Sequence, residues 1–119
     1  MAGTVTITYQ EHTSVRVCTW TWTSDASGDA SGTDSKSITG AALRWVTDPD
    51  GSAAPTTLYD IVVNDEHGVD VAGGGLANRS ATAGEESIPD PPVAFSGKLS
   101  LVVANAGNAK AGVLKLYYR

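Results

Sequence analysis

The chain has 119 residues and a formal net charge of −5, with 41% hydrophobic and 18% charged residues. That length suits one domain burying roughly two-thirds of its unfolded surface, and the apolar fraction excludes a disordered composition. The four lysines and four arginines are scattered, so no basic patch exists to displace counterions from phosphates or to hold an anionic membrane surface, and neither nucleic acid nor membrane is an expected partner.

The opening MAGTVTITYQ lacks the basic-then-apolar order of a secretory leader, which predicts a chain made in a cytoplasm. The longest apolar runs, Ile61 to Val63 and Leu101 to Ala104, are far too short to span a bilayer. Val5, Ile7 and Tyr9 alternate with Thr4, Thr6 and Thr8, the period of a half-buried strand. Met1 to Thr8 is also a candidate arm for strand exchange, so residues 1–12 read as an arm or a first strand of a single domain over 1–119. Arg16 to Trp22 reads as a central strand, with Cys18, Trp20 and Trp22 on one face and Val15, Val17, Thr19 and Thr21 on the other.

Ser24 to Asp34 has no large apolar residue and reads as a long loop. Ile38 to Thr47 returns to strand character, with Leu43, Trp45 and Thr47 sharing a side, and Asp48-Pro49-Asp50-Gly51 turns the chain. Leu58 to Asn64 is a core strand presenting Tyr59, Ile61 and Val63, and Val69 to Val71 is expected to pair back on it through Asp65-Glu66-His67-Gly68. After Gly73-Gly74-Gly75, Leu76 to Ala83 is compatible with one helical turn, and the prolines make Ile88 to Val93 an extended connector. Lys98 to Ala104 and Gly112 to Tyr118 are expected to form a last hairpin. The sum predicts an all-β fold, a small antiparallel β-sandwich or barrel of about seven to eight strands.

Chemistry is sparse. Cys18 stands alone in a strand and reads as a packed side chain rather than a reactive thiol. No serine occupies a nucleophile elbow, and His12 and His67 sit beside acids in turn-like stretches without a metal-ligand spacing. Asp25, Asp29 and Asp34, and separately Asp48 and Asp50, make oxygen-rich loops of the kind calcium uses, but not in the spacing of a helix–loop–helix site. Asp60 and Asp70 fall on strands expected to pair, and two facing carboxylates would suggest glycosidase chemistry; charged residues on a solvent face explain them equally. No phosphate-binding glycine loop follows from Gly73-Gly74-Gly75. No catalytic, metal or cofactor residue is therefore assigned. Trp20, Trp22 and Trp45 remain: core or subunit-interface residues in a small sandwich, or a sugar-stacking platform as in carbohydrate-binding modules.

Several stretches carry a resemblance. They are Thr19 to Gly28, Leu43 to Pro49, Ala54 to Thr56, Tyr59 to Val71, Gly75 to Arg79, Val103 to Gly112 and Leu116 to Arg119. Together, from about Val15 to Arg119, they resemble small structural proteins of tailed bacteriophages. The motifs are turns and strands rather than catalytic signatures. The resemblance implies a non-enzymatic virion protein on the capsid exterior, a decoration or minor capsid protein that binds the major capsid protein as a homo-oligomer. Its contact regions would be the N-terminal segment, the Asp25 to Asp34 loop and the Ile88 to Val93 connector. A head–tail connector or tail accessory subunit is the alternative within the virion.

Overall fold

Alternating β-branched and apolar residues build strands throughout. A computed structural model describes residues 3–11, 14–34 and 36–119, and among them it holds nine strands and no helix. These are β1 (Thr4–Glu11), β2 (Arg16–Thr23), β3 (Ala30–Thr33), β4 (Gly40–Pro49), β5 (Asp60–Asn64), β6 (Glu85–Ser87), β7 (Val93–Phe95), β8 (Ser100–Ala104) and β9 (Ala111–Tyr118). All pairings are antiparallel. One sheet runs β1-β2-β9-β4, with β6 and β7 both on the far edge of β4, and the other runs β3-β8-β5. The all-β sandwich expected from the period of two is present, with β1 as a paired first strand.

The core lies between the sheets because the longer strands of both sheets each turn an apolar face inward. Cys18, Trp20 and Trp22 from β2 and Leu114, Leu116 and Tyr118 from β9 join Ile61, Val63, Leu101 and Val103 of the smaller sheet in one buried cluster. Trp20 stacks on Trp45 with ring centroids 6.3 Å apart, and Trp22 tilts against Tyr59 at 5.6 Å. Gly112 lies opposite Trp22 on β9, and a Cβ there would fall 2.7 Å from the indole ring, so this position needs the missing side chain.

Five expectations change. Ser24 to Asp34 is not all loop: β3 occupies Ala30–Thr33, its small residues fitting under β1, where a Cβ on Gly32 would meet Val5 at 2.8 Å. Leu43 does not share the face of Trp45 and Thr47. A register shift between Ala42 and Arg44 adds one residue, so Ala42 and Trp45 both point inward. The expected last hairpin is split, because β8 pairs with β3 and β5 while β9 pairs with β2 and β4. The connection from Asn105 to Lys110 crosses between the sheets, which lets the apolar faces of both strands serve one core. Ser24 fixes that crossing: its hydroxyl donates to Gly107 O at 2.5 Å and accepts from the Lys110 N–H at 2.9 Å. Val69 to Val71 turns back on β5 but forms only an isolated bridge, Asn64 to Asp70. Leu76 to Ala83 forms turns, not a helical turn.

Leu58 breaks from strand geometry with φ at 67° and is 59% exposed. A left-handed backbone costs an L side chain about 1–2 kcal/mol, and glycine escapes that cost at some loss of unfolded-chain entropy. Leu58→Gly is therefore expected to be neutral or stabilising by up to about 1 kcal/mol in urea unfolding. A clear loss of stability would show that the leucine side chain packs usefully where it stands.

Candidate functional site

The residue types that suggested chemistry turn out to organise the backbone. Asp25 Oδ1 accepts from the N–H groups of Ser27 and Asp29, at 2.8 and 3.1 Å, and closes its own turn. Those bonds favour the charged form and hold the carboxyl below its usual range. Asp34 points away from that turn into the core, so Asp25, Asp29 and Asp34 do not converge. Asp50 accepts from Ser52 and Ala53 N–H in the same manner as Asp25. Among the described residues no group of three or more His, Cys, Asp or Glu side chains could hold a metal ion.

Asp60 and Asp70 do not face one another. Asp60 lies opposite Ala104 on β8, and its two oxygens accept from Asn78 N–H and Asn105 Nδ2. Asp70 accepts from the N–H groups of Val63, Ala72 and Gly74, ordering the segment beside β5. The paired-carboxylate arrangement is thereby replaced by one acid that ties two distant loops to β5 and one that orders its own turn. His67 is exposed in the turn after β5, where its N–H donates to Asp65; His12 lies outside the described residues.

Trp20, Trp22 and Trp45 are each fully buried. The sugar-platform reading needs an exposed indole, and none of the three offers a ring face to a ligand. Cys18 is buried beside them, and burial pushes its thiol well above the ordinary range, which makes it an inert packed side chain. One polar contact joins this core to the smaller sheet: Trp20 Nε1 donates to Asp34 Oδ1 at 3.1 Å. Asp34 is only 1% exposed, and burial raises its carboxyl, opposed by the Trp20 indole and the neighbouring Tyr9 phenol.

An open surface groove of about 370 Å³ runs along Thr21, Asp48 to Gly51 and Ala111 to Val113. Its ionisable groups are Asp48 and Asp50, with no nucleophile–base pair beside them.

What remains is the sheet surface and its edges. The outer face of the larger sheet carries three cross-strand threonine pairs, Thr4 with Thr23, Thr6 with Thr21 and Thr8 with Thr19. At the edges of the sheets the contrast is sharper. The far edge of β4 is covered by β6 and β7. The outer side of β5 is capped by Ile61 N–H to Leu76 O, Val71 N–H to Val63 O and Arg79 N–H to Tyr59 O. Strand β3 is only four residues long and tucked against β1. By contrast, β1 is eight residues long, pairs only with β2, and receives no other backbone hydrogen bond among the described residues. Natural sheets shield such edges with proline, lysine, bulges or short length, and Thr4 to Gln10 has none of these. The sequence signal was available: an uninterrupted alternation without proline, glycine or fixed charge. Position at the end of a sheet was not. Ile88, 62% accessible, is an exposed apolar side chain on the connector between β6 and β7.

No known family model matches the chain, and no curated protein or solved structure matches it.

Proposed function

We propose that the chain is a non-enzymatic structural protein of a tailed-phage virion, a decoration or minor capsid subunit that binds the major capsid protein on the shell exterior and stabilises it. The reading starts from the resemblance between Val15 and Arg119. The observation that carries it in the structure is the selective exposure of β1: every other long sheet edge is covered, and an uncovered edge is the feature that a subunit built to assemble, first of all with its own copies, would keep. The turn of Asp25, held by its own backbone hydrogen bonds, and the connector bearing exposed Ile88 supply further contact regions.

Purified protein is expected to rebind shells assembled without it and to raise their disruption temperature. Shells that neither take up the protein nor gain stability defeat the reading. Copy number separates the two places in a virion: hundreds per particle for a decoration protein, on the order of a dozen for a head–tail joint subunit.

A further inference from the structure

We infer that two copies of this chain pair through β1, edge to edge, making one continuous sheet across a two-fold axis. Three observations meet at this strand. First, its outward backbone N–H and C=O groups have no protein partner among the described residues. Second, its inward side chains Val5, Ile7 and Tyr9 pack against the core cluster but keep part of their surface accessible. Apolar surface still accessible beside an unpaired edge is what a neighbouring strand would complete. Third, the strand suits its own copy electrostatically. The chain carries a net charge of −5, which opposes self-association elsewhere, but Thr4 to Gln10 contains no carboxylate. Glu11, at the strand end, is already ion-paired with Lys36.

The register follows from the pleat. A two-fold antiparallel pair must keep outward residues opposite outward ones, because a slip of one residue exchanges the faces. Two seven-residue pairings of Thr4–Glu11 do so, and the one that keeps Glu11 from facing apolar Val5 places Ile7 opposite Ile7 of the second copy. Thr6 then meets Thr8, Val5 meets Tyr9 and Thr4 meets Gln10. On the outer face this repeats the threonine pairing that β1 already makes with Thr19, Thr21 and Thr23 of β2. Glu11 falls beside Gly3 of the second copy, so no carboxylate meets its own image.

The pairing goes beyond shell binding and is tested on the free protein, so either can fail without the other. Sedimentation equilibrium over a concentration series is expected to give a species of twice the 12.2 kDa chain. Thr6→Lys with Thr8→Lys sets like charges opposite each other twice across the axis and is expected to weaken the dimer by at least about tenfold. Thr6→Lys with Thr8→Glu sets opposite charges in the same places and is expected to keep it. Exchange of the outward β1 amides, those not bonded to β2, in the unaltered protein supplies a readout that needs no variant: their protection should rise with protein concentration. A monomer at every concentration with those outward amides unprotected, or a dimer indifferent to the paired lysines, overturns the inference.

Discussion

Trp20→Ala is expected to cost about 4 kcal/mol, the range for emptying a buried aromatic site, and to lower the midpoint of thermal unfolding by roughly 15 °C. Domains of this size are stable by only about 5–15 kcal/mol, so this one change removes a large part of the total. Two losses combine. The indole is fully buried and stacked on Trp45, so its removal leaves a cavity between the sheets. It also supplies the N–H that Asp34 accepts, and that carboxyl would be left in the core without its donor. Phenylalanine at each tryptophan separates the two effects. The indole N–H groups of Trp22 and Trp45 have no hydrogen-bond partner among the described residues, whereas that of Trp20 does. Trp45→Phe should therefore cost less than Trp20→Phe, as read by urea unfolding. Equal costs would mean that the Trp20–Asp34 bond adds nothing.

Asp34 gives the second large effect, and it depends on pH. Its carboxyl is raised in the folded protein, chiefly by burial. The folded state therefore holds the proton more tightly than the unfolded chain, whose carboxylates titrate near pH 3.9, about the model-peptide value. The stability associated with this group is fully present below that pH and is lost as pH rises through the folded pKa. Asp34→Asn keeps an acceptor for the Trp20 N–H and cannot ionise. It should match or exceed the parent in stability at neutral pH, and the difference between the two should shrink on acidification. Asp34→Ala instead strands the indole donor, at a cost of roughly 1–3 kcal/mol. Taking differences between variants also removes the opposite trend from Asp25 and Asp65. Their carboxyls are held low by backbone N–H donors and lose their contribution as pH falls. An Asn variant whose advantage stays constant from pH 4 to pH 8, about the span in which buried carboxyls titrate, would contradict the assignment of a raised carboxyl.

Much of the strand content was legible because side-chain alternation is a local property. Val5, Ile7 and Tyr9, or Cys18, Trp20 and Trp22, declare a strand and which side chains share a face without reference to anything distant. Turns such as Asp65 to Gly68 were equally plain, since a carboxylate that accepts from N–H groups two and four residues onward needs only its own neighbours. The departures arise where a distant partner decides. Residues 30–33 carry too little apolar surface to announce β3, and they become a strand because β8 offers a ladder on one side and Val5 fills the space over Gly32. The bulge in β4 is invisible to periodicity counting because it interrupts the period itself.

From its sequence alone, the protein is fixed as an all-β chain with Trp20 and Trp22 on one strand face and acids placed in turns, since these follow from the pleat and from short-range hydrogen bonding. Which strands share a sheet was decided only in three dimensions. Strands β8 and β9 are consecutive yet belong to opposite sheets, because apolar faces from both are needed on either side of one core. The same holds for the site. Asp34 became the buried partner of Trp20 rather than a loop acid, and β1 became the uncovered edge, because partnering across the fold is a property of where strands end up and not of the residues they contain.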